Sequence, residues 1–429
     1  MRAALLVFAL NSFPLAAQAI HVDATRGNDG NSGTAAQPVK SITRGLALAS
    51  AGNPVYVYQG AYGPVLTGET LPIGFGTLIP QQGVTLRGLG KVVLDCNGIG
   101  GAAIKVGTLA SSGRITNITF TNMGSTDWYA RVVEAGSYKG PGSATGFEID
   151  RCIFEKVNRG VLIWENSPPV TGWKVHSNLF KNLTNDGIND FFSGSANQIY
   201  NNTFAGNLQL GMTTDGSTSK VFNNIFVGCR VGIGAGPTQA ATNFLLNDIW
   251  NCQIAWQGIA TPPGNLAVDP LFVNQTQGDY HLTAASPLID AGIFPTLVRA
   301  DLDGNSAAVD SNLDGTIAPD LGAYERTPIT TTGSLSGTTL SYGLTTSSTL
   351  ATVGVLGFAL DDGIIQVLNW SPILLDPTTL FTTIAGPFPL QVTIPNVSLP
   401  LGLPIVVQGL GFAPVSPGLI PGNQVWIQN

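Results

Sequence analysis

At 429 residues the chain is long enough for two or three domains, and its 10% charged content lies far below the roughly 25% of an average protein. The formal net charge of −7 and the isoelectric point near 4.9 leave no basic footprint, which argues against nucleic acid and anionic membrane as partners. Glycine at 53 and proline at 27 suit a chain with many tight turns.

The start of the chain carries an address. Arg2 precedes an apolar stretch from Ala3 to Leu10, and Ala17-Gln18-Ala19 is a small-x-small cleavage signature. This pattern predicts a signal peptide over 1–19 and a secreted or cell-surface protein beginning at Ile20. No other stretch reaches the ~18 uninterrupted apolar residues of a membrane span. Further on, Ser41 stands as an N-cap, Ile42, Leu46 and Ala49 share one face, and Gly52 lies just past the end, which predicts a short amphipathic helix.

From Ile115 a short phrase then recurs. It ends in Phe120, Phe154, Phe180, Phe204, Phe226 and Trp250, with spacings of 34, 26, 24, 22 and 24 residues. Self-similarity of this period means a solenoid. Apolar residues flank a polar pair, β-branched and aromatic types are enriched, and a second run led by Gly160, Gly187, Gly211 or Gly232 follows each phrase, so the unit is made of strands. Two or three strands per coil describe an all-β parallel β-helix. Coils stacked at ~4.8 Å place Asn178, Asn202, Asn224 and Asp248 in one column, where Asn suits a left-handed turn and its amide reaches the residues above and below.

Over roughly Ile20 to Trp256 the pattern resembles the right-handed parallel β-helix proteins of the pectate-lyase-like superfamily. The segment from His21 to Thr34, the run Pro38 to Leu46 and the run Val55 to Tyr62 are similar to the usual first turn of such proteins. The resemblance implies that the short helix plugs the N-terminal end of the stack, covering strand edges. It further implies that the Gly-led strands form the sheet whose outer face and following loops make the polysaccharide cleft. With Val161, Ile188, Met212 and Ile233 inward, the pleat turns Leu162, Trp164, Asn189, Phe191, Thr213 and Asp215 outward. Trp164, Phe191, Asn189 and Asp215, with Glu165 beside them, are therefore the candidate carbohydrate-binding residues, because sugar faces pack on rings and hydroxyls bond to carboxylates. The other reading has these rings beneath the loops 130–146 or 167–172, extending the core.

Catalysis on this fold asks for more. A hydrolase needs two carboxylates ~5–10 Å apart, and Glu165, Asp190 and Asp215 are the candidates, although strict alternation turns Asp190 inward. A lyase needs a cation and an Arg or Lys base. Arg159 is available, yet it precedes Gly160 as Asp186 precedes Gly187, which suits a cross-coil ion pair. The Gly-His-Gly and paired-Asp motifs of polygalacturonase-like enzymes are absent. The expected function is binding of extracellular or cell-wall polysaccharide without turnover. The alternatives are a polysaccharide lyase or glycoside hydrolase of the same superfamily, and a structural surface protein without ligand.

Cys229 and Cys252 lie 3 and 2 residues beyond Phe226 and Trp250 on adjacent coils, within disulfide reach. Cys152 falls in the Asn column and Cys96 about two coils earlier, as buried thiols. With no Cys-x-x-Cys and three scattered histidines, zinc is not expected. The β-helix is expected over 20–268.

The segment 269–326 resembles the closing, choice-of-anchor-type module of bacterial secreted β-helix proteins. Within it Asp310, Asn312 and Asp314, followed by Gly315, copy the first half of a calcium loop. The twelfth position is Leu321 with Asp320 one place early, so Ca2+ stands against an Asx-turn-rich loop. Beyond Arg326 the chain has no Lys, Arg, His or Glu. A linker is expected over 327–336 and a β-sandwich-like domain over 337–429, whose low charge suggests docking on the β-helix or self-association.

Overall fold

The computed structural model describes residues 19–124, 129–135, 144–164, 170–191, 196–206, 209–295, 300–306, 308–312 and 317–327, and the backbone of seven strands between Ile329 and Ile427. The expected leader lies outside the described residues apart from Ala19. One compact unit comprises Ala17–Pro270 with Leu321–Ala323, and the other holds Leu271–Asp320 and the chain from Tyr324 onward.

The first unit is a right-handed parallel β-helix, as the repeat predicts. A typical coil supplies three strands, Lys174–His176, Leu179–Lys181 and Asp186–Phe191. The next coil stacks on it in parallel register, Val175 on Ile199, Phe180 on Phe204 and Ile188 on Met212. The Gly-led strands form an eight-stranded sheet from Ile73–Phe75 to Ile254–Gln257. The other two strands of each coil belong to a fifteen-stranded sheet joined through the long strand Thr85–Asp95.

Phenylalanine fills the interior. Phe120, Phe154, Phe180, Phe204 and Phe226 form a continuous stack, the last pair with centroids 4.4 Å apart and rings nearly parallel. This stack explains why glycine leads the second run. A Cβ on Gly160, Gly187 or Gly211 would meet the ring of Phe180, Phe204 or Phe226 at 2.5, 2.5 and 2.4 Å. The glycines are therefore required by close approach to the rings.

The corner between the first two strands separates two roles that spacing alone merges. The left-handed residue is the first of the polar pair, at Asn117, Arg151, Ser177, Asn201, Asn223 and Leu246. The second points inward and makes the ladder, with Asn178 Nδ2 donating to Asn202 Oδ1 at 3.0 Å and Asn202 Nδ2 to Asn224 Oδ1 at 3.0 Å. In the last coil the ladder runs through Asn247 to Asn265, at 2.9 Å each, and not through Asp248. Counting back from Trp250 places the register one residue late: Ile249 pairs with Phe226, and Asp248 with Ile225. A one-residue slip reverses every side chain, so the aliphatic Ile249 enters the core and Trp250 is left 37% exposed.

The N-terminal helix spans Ile42–Leu48, capped by Ser41, whose hydroxyl accepts from the Arg44 amide at 3.0 Å. Glu69 accepts the Ile42 and Thr43 amides at 2.7 and 2.8 Å, satisfying further donors of the first turn. Ile42, Leu46 and Ala49 are buried.

In the second unit Phe272–Asn274 and Asp279–Leu282 pair antiparallel. The expected linker over 327–336 is instead mostly a strand, Ile329–Ser336, paired with Thr339–Thr346. Alternating Thr, Ser and Leu can pair along a ladder as readily as they can solvate a linker, which is why composition misplaced this boundary. Together with that strand the rest of the chain forms two antiparallel sheets, one of three strands that includes Ile329–Ser336 and one of four.

Candidate functional site

On the Gly-led sheet Val161, Ile188, Met212 and Ile233 are fully buried in one column. The alternate positions, Leu162, Asn189, Thr213 and Gly234, pair in register on the outer face. Two residues further along, Phe191 pairs with Asp215. Trp164 lies beside Phe191 on the neighbouring coil, ring centroids 6.0 Å apart and tilted by 39°. Trp164, Phe191, Thr213 and Asp215 are half-buried, while Leu162 and Asn189 are buried. The structure thus brings Trp164, Phe191, Asn189 and Asp215 onto one face, with part of that face covered.

Asn189 Nδ2 donates to Asp186 Oδ2 at 3.0 Å, while Asn189 Oδ1 and Thr213 Oγ1 are buried without a hydrogen-bond partner. Among the described residues no hydrogen bond or ion pair reaches the Asp215 carboxylate. In the next coil Gly234 and Gly236 put no side chain on the face, and a Cβ on Gly236 would meet Asp215 Oδ1 at 1.7 Å, so the carboxylate leans over that glycine.

The catalytic candidates do not converge. Asp190 is fully buried on the inner face, where its Oδ2 accepts from Ser217 Oγ at 2.8 Å, and Ser217 bonds Thr214 at 2.7 Å. Asp190 and Asp215 lie on opposite sides of the sheet, so they do not flank a common bond. Glu165 lies outside the described residues. Arg159 is buried and donates to Asp186 Oδ2 at 2.9 Å, the cross-coil pair that its position before Gly160 suggested.

Cys229 and Cys252 lie on adjacent coils as free thiols and not as the expected disulfide, the first donating to Val227 O at 3.9 Å and the second to Phe226 O at 3.7 Å. The interaction between the two thiols raises Cys229 well above its ordinary range, with burial adding to it, and lowers Cys252. Cys96 and Cys152 are buried thiols, pushed up by burial.

In the closing module the assembled acidic group is Asp290, Asp320 and Glu325, whose ligand atoms lie within 4.8 Å of one another. Of the expected calcium ligands it includes only Asp320. Asp310 is buried, Asn312 is exposed with its amide donating to Asp290 Oδ2 at 3.3 Å, and Asp314 lies outside the described residues. Every oxygen of Asp320 and Glu325 accepts a backbone amide, from Asp290, Arg326, Val309 and Asp320 at 2.7–2.9 Å. Burial, with Asp290 adding, pushes the Asp320 carboxyl up to about 8, and burial, with Asp320 adding, raises Glu325 well above its usual range. Three hard oxygen donors fit a divalent cation such as calcium by chemistry.

Sequence reading missed a second buried group on the outer side of the fifteen-stranded sheet, Glu148, Asp150 and His176. Arg114 clasps Asp150 through two bonds of 2.7 and 2.6 Å, and His176 Nε2 lies 3.0 Å from Glu148 Oε1. The guanidinium already supplies the positive charge, so the donor set does not fit a metal. The signal was available in the pleat: inward Ile149 and Val175 are flanked by Glu148, Asp150, Lys174 and His176, and Arg114 precedes inward Ile115.

Among the described residues no helix is long and apolar enough to cross a membrane. No curated protein matches the chain. Among solved structures it is similar to the XylC–xylose complex, with 11% identity, 55% of this chain and 62% of that one covered, and a TM-score of 0.41. It is similar also to the native GH136 lacto-N-biosidase from Eubacterium ramulus, with 10% identity, 58% and 67% covered, and a TM-score of 0.34. The chain thus spans less than two thirds of the XylC chain. Residues 25–244, most of the coil stack, match the family described as protein of unknown function DUF1565, and the chain belongs to that family.

Proposed function

We propose that this protein binds a polysaccharide outside the cell, along the outer face of the Gly-led sheet, without turning it over. The observation that carries the reading is the Trp164–Phe191 pair, 6.0 Å apart and half-buried, followed in register by the unpaired carboxylate of Asp215. Paired rings give a sugar chain apolar faces to lie on, and Asp215 accepts hydroxyl hydrogens beside them. The separation of Asp190 from Asp215 across the sheet favours binding over a two-carboxylate hydrolysis. Calcium at Asp290, Asp320 and Glu325 would act on the closing module and not on this face.

The test is Trp164→Ala in the full chain, titrated against neutral and acidic polysaccharides, with unsaturated products and new reducing ends read separately. Loss of binding by tenfold or more with stability within ~1 kcal/mol is expected, since a half-exposed ring contributes little to the core. A loss of roughly 3–5 kcal/mol with binding unaltered would assign the ring to the core instead. Product formation would move the protein to the lyase or hydrolase class.

A further inference from the structure

We propose that the polysaccharide this face selects is an amino-sugar polymer bearing free ammonium groups, with Asp215 as the residue that reads the charge. The inference rests on the binding face described above and narrows it.

Two oxygens and one carboxylate on the face lack a donor. Asn189 is 4% exposed and its Oδ1 has no partner, because its amide nitrogen is already committed to Asp186. Thr213 Oγ1, its register neighbour, is likewise unpartnered, and Asp215 two positions along carries a carboxylate that no cation among the described residues meets. The cation flanking them, Arg159, is held by Asp186 at 2.9 Å. A buried acceptor without a donor costs about 1–3 kcal/mol, so the fitting ligand brings donors.

Three ligand chemistries are then distinguishable. An acidic sugar would set its carboxylate against Asp215 and find no donor at Asn189 Oδ1. A neutral sugar supplies hydroxyl donors but leaves the carboxylate's charge unanswered. A protonated amine supplies three donors and a positive charge, and the aromatic faces of Trp164 and Phe191 attract that charge while packing on the ring that carries it. Gly236, which projects no side chain, keeps the approach to Asp215 open from the next coil.

The experiment titrates the full chain with oligomers of β-1,4-linked glucosamine, the same oligomers N-acetylated, a neutral glucan and polygalacturonate. The glucosamine oligomer should bind at least tenfold tighter than its N-acetylated counterpart, and the preference should shrink as salt rises. Asp215→Asn should erase the preference, weakening the glucosamine oligomer at least tenfold more than the N-acetylated one, and Thr213→Val should also weaken the glucosamine oligomer the more, both variants keeping the wild-type melting temperature. Equal or tighter binding of polygalacturonate, or a preference that survives Asp215→Asn, overturns the proposal while the binding face stands. Binding to none of the four overturns both.

Discussion

Asn202 and Asn224 are joined twice across adjacent coils: the Asn202 backbone amide and its Nδ2 both donate to the single oxygen Asn224 Oδ1, each at 3.0 Å. Asn202 Nδ2 also donates to Val175 O and Tyr200 O, at 2.9 and 3.0 Å. One side chain therefore satisfies backbone groups of its own coil and of the preceding one, at a corner where no strand can do so.

Asn202→Leu should accordingly cost at least about 3 kcal/mol, because it strands several buried polar groups at once. The neighbouring Asn201 serves the backbone first, since its φ of 48° needs a residue that tolerates the left-handed region, and its Oδ1 accepts a longer bond of 3.3 Å from Asn223 Nδ2. Asn201→Gly should be nearly neutral and Asn201→Val should cost about 1–2 kcal/mol. Thermal melts of the three variants check this; equal effects at both positions would refute the division of labour.

Asp248 should make the β-helix less stable as pH rises. It is fully buried, accepts the Val268 amide at 2.9 Å through one oxygen, and leaves the other without a partner. Burial, with Asp269 adding, raises its carboxyl to about 7 from 3.8. The folded state thus holds a proton that the unfolded chain gives up, so its contribution is full below about pH 4 and is lost as pH rises to about 7. At ~1.4 kcal/mol per unit the loss reaches about 4 kcal/mol. Asp248→Asn should therefore stabilise the protein at pH 8 and not at pH 4. Parallel melting curves for the two proteins between those values would count against a raised carboxyl here.

Much of this architecture is legible in the chain. The Phe period, the Gly-led runs and the Ser41 helix all follow from local rules of spacing and capping. What was misread depended on geometry one step beyond spacing. Trp250 fits the repeat as a letter, but the corner at Leu246 and Asn247 sets the register, and only stacking against Phe226 shows that Ile249 faces the core. The outer-face residues Trp164, Phe191 and Asp215 follow from pleat parity alone. The acidic group of the closing module does not, because Asp290 lies 30 residues before Asp320 and a loop brings them together, Asp290 N to Asp320 Oδ1 at 2.8 Å.

That acidic group yields a coupled prediction. With the Asp320 carboxyl raised to about 8 by burial first and Asp290 next, the closing module should be most stable in acid and weaken as pH climbs from about 4 to 8. A bound divalent cation replaces the proton, so millimolar calcium should restore the melting temperature at pH 8 and do little at pH 5. Asp320→Asn should abolish the calcium effect. A melting temperature indifferent to calcium at pH 8 would leave Asp290, Asp320 and Glu325 as a proton-sharing group held by backbone amides.

Cys229 and Cys252 offer the last test, because the structure places them ready to join without joining them. The Gln253 amide donates to Cys229 O at 3.1 Å, fixing the two coils at that point. Cys252 is the more exposed of the two and its thiol is lowered by the neighbouring Cys229 thiol, so it should supply the attacking thiolate. A mild disulfide-forming oxidant would take two electrons and two protons from the pair and leave one sulfur–sulfur bond between adjacent coils. Closing a loop of this length should stabilise the β-helix by about 3 kcal/mol. Alkylation after oxidation should spare both residues until a reductant is added, and Cys229→Ser should lose the gain in melting temperature. If both thiols still react with alkylating agent after oxidation, the two sulfurs do not approach as the coil register requires.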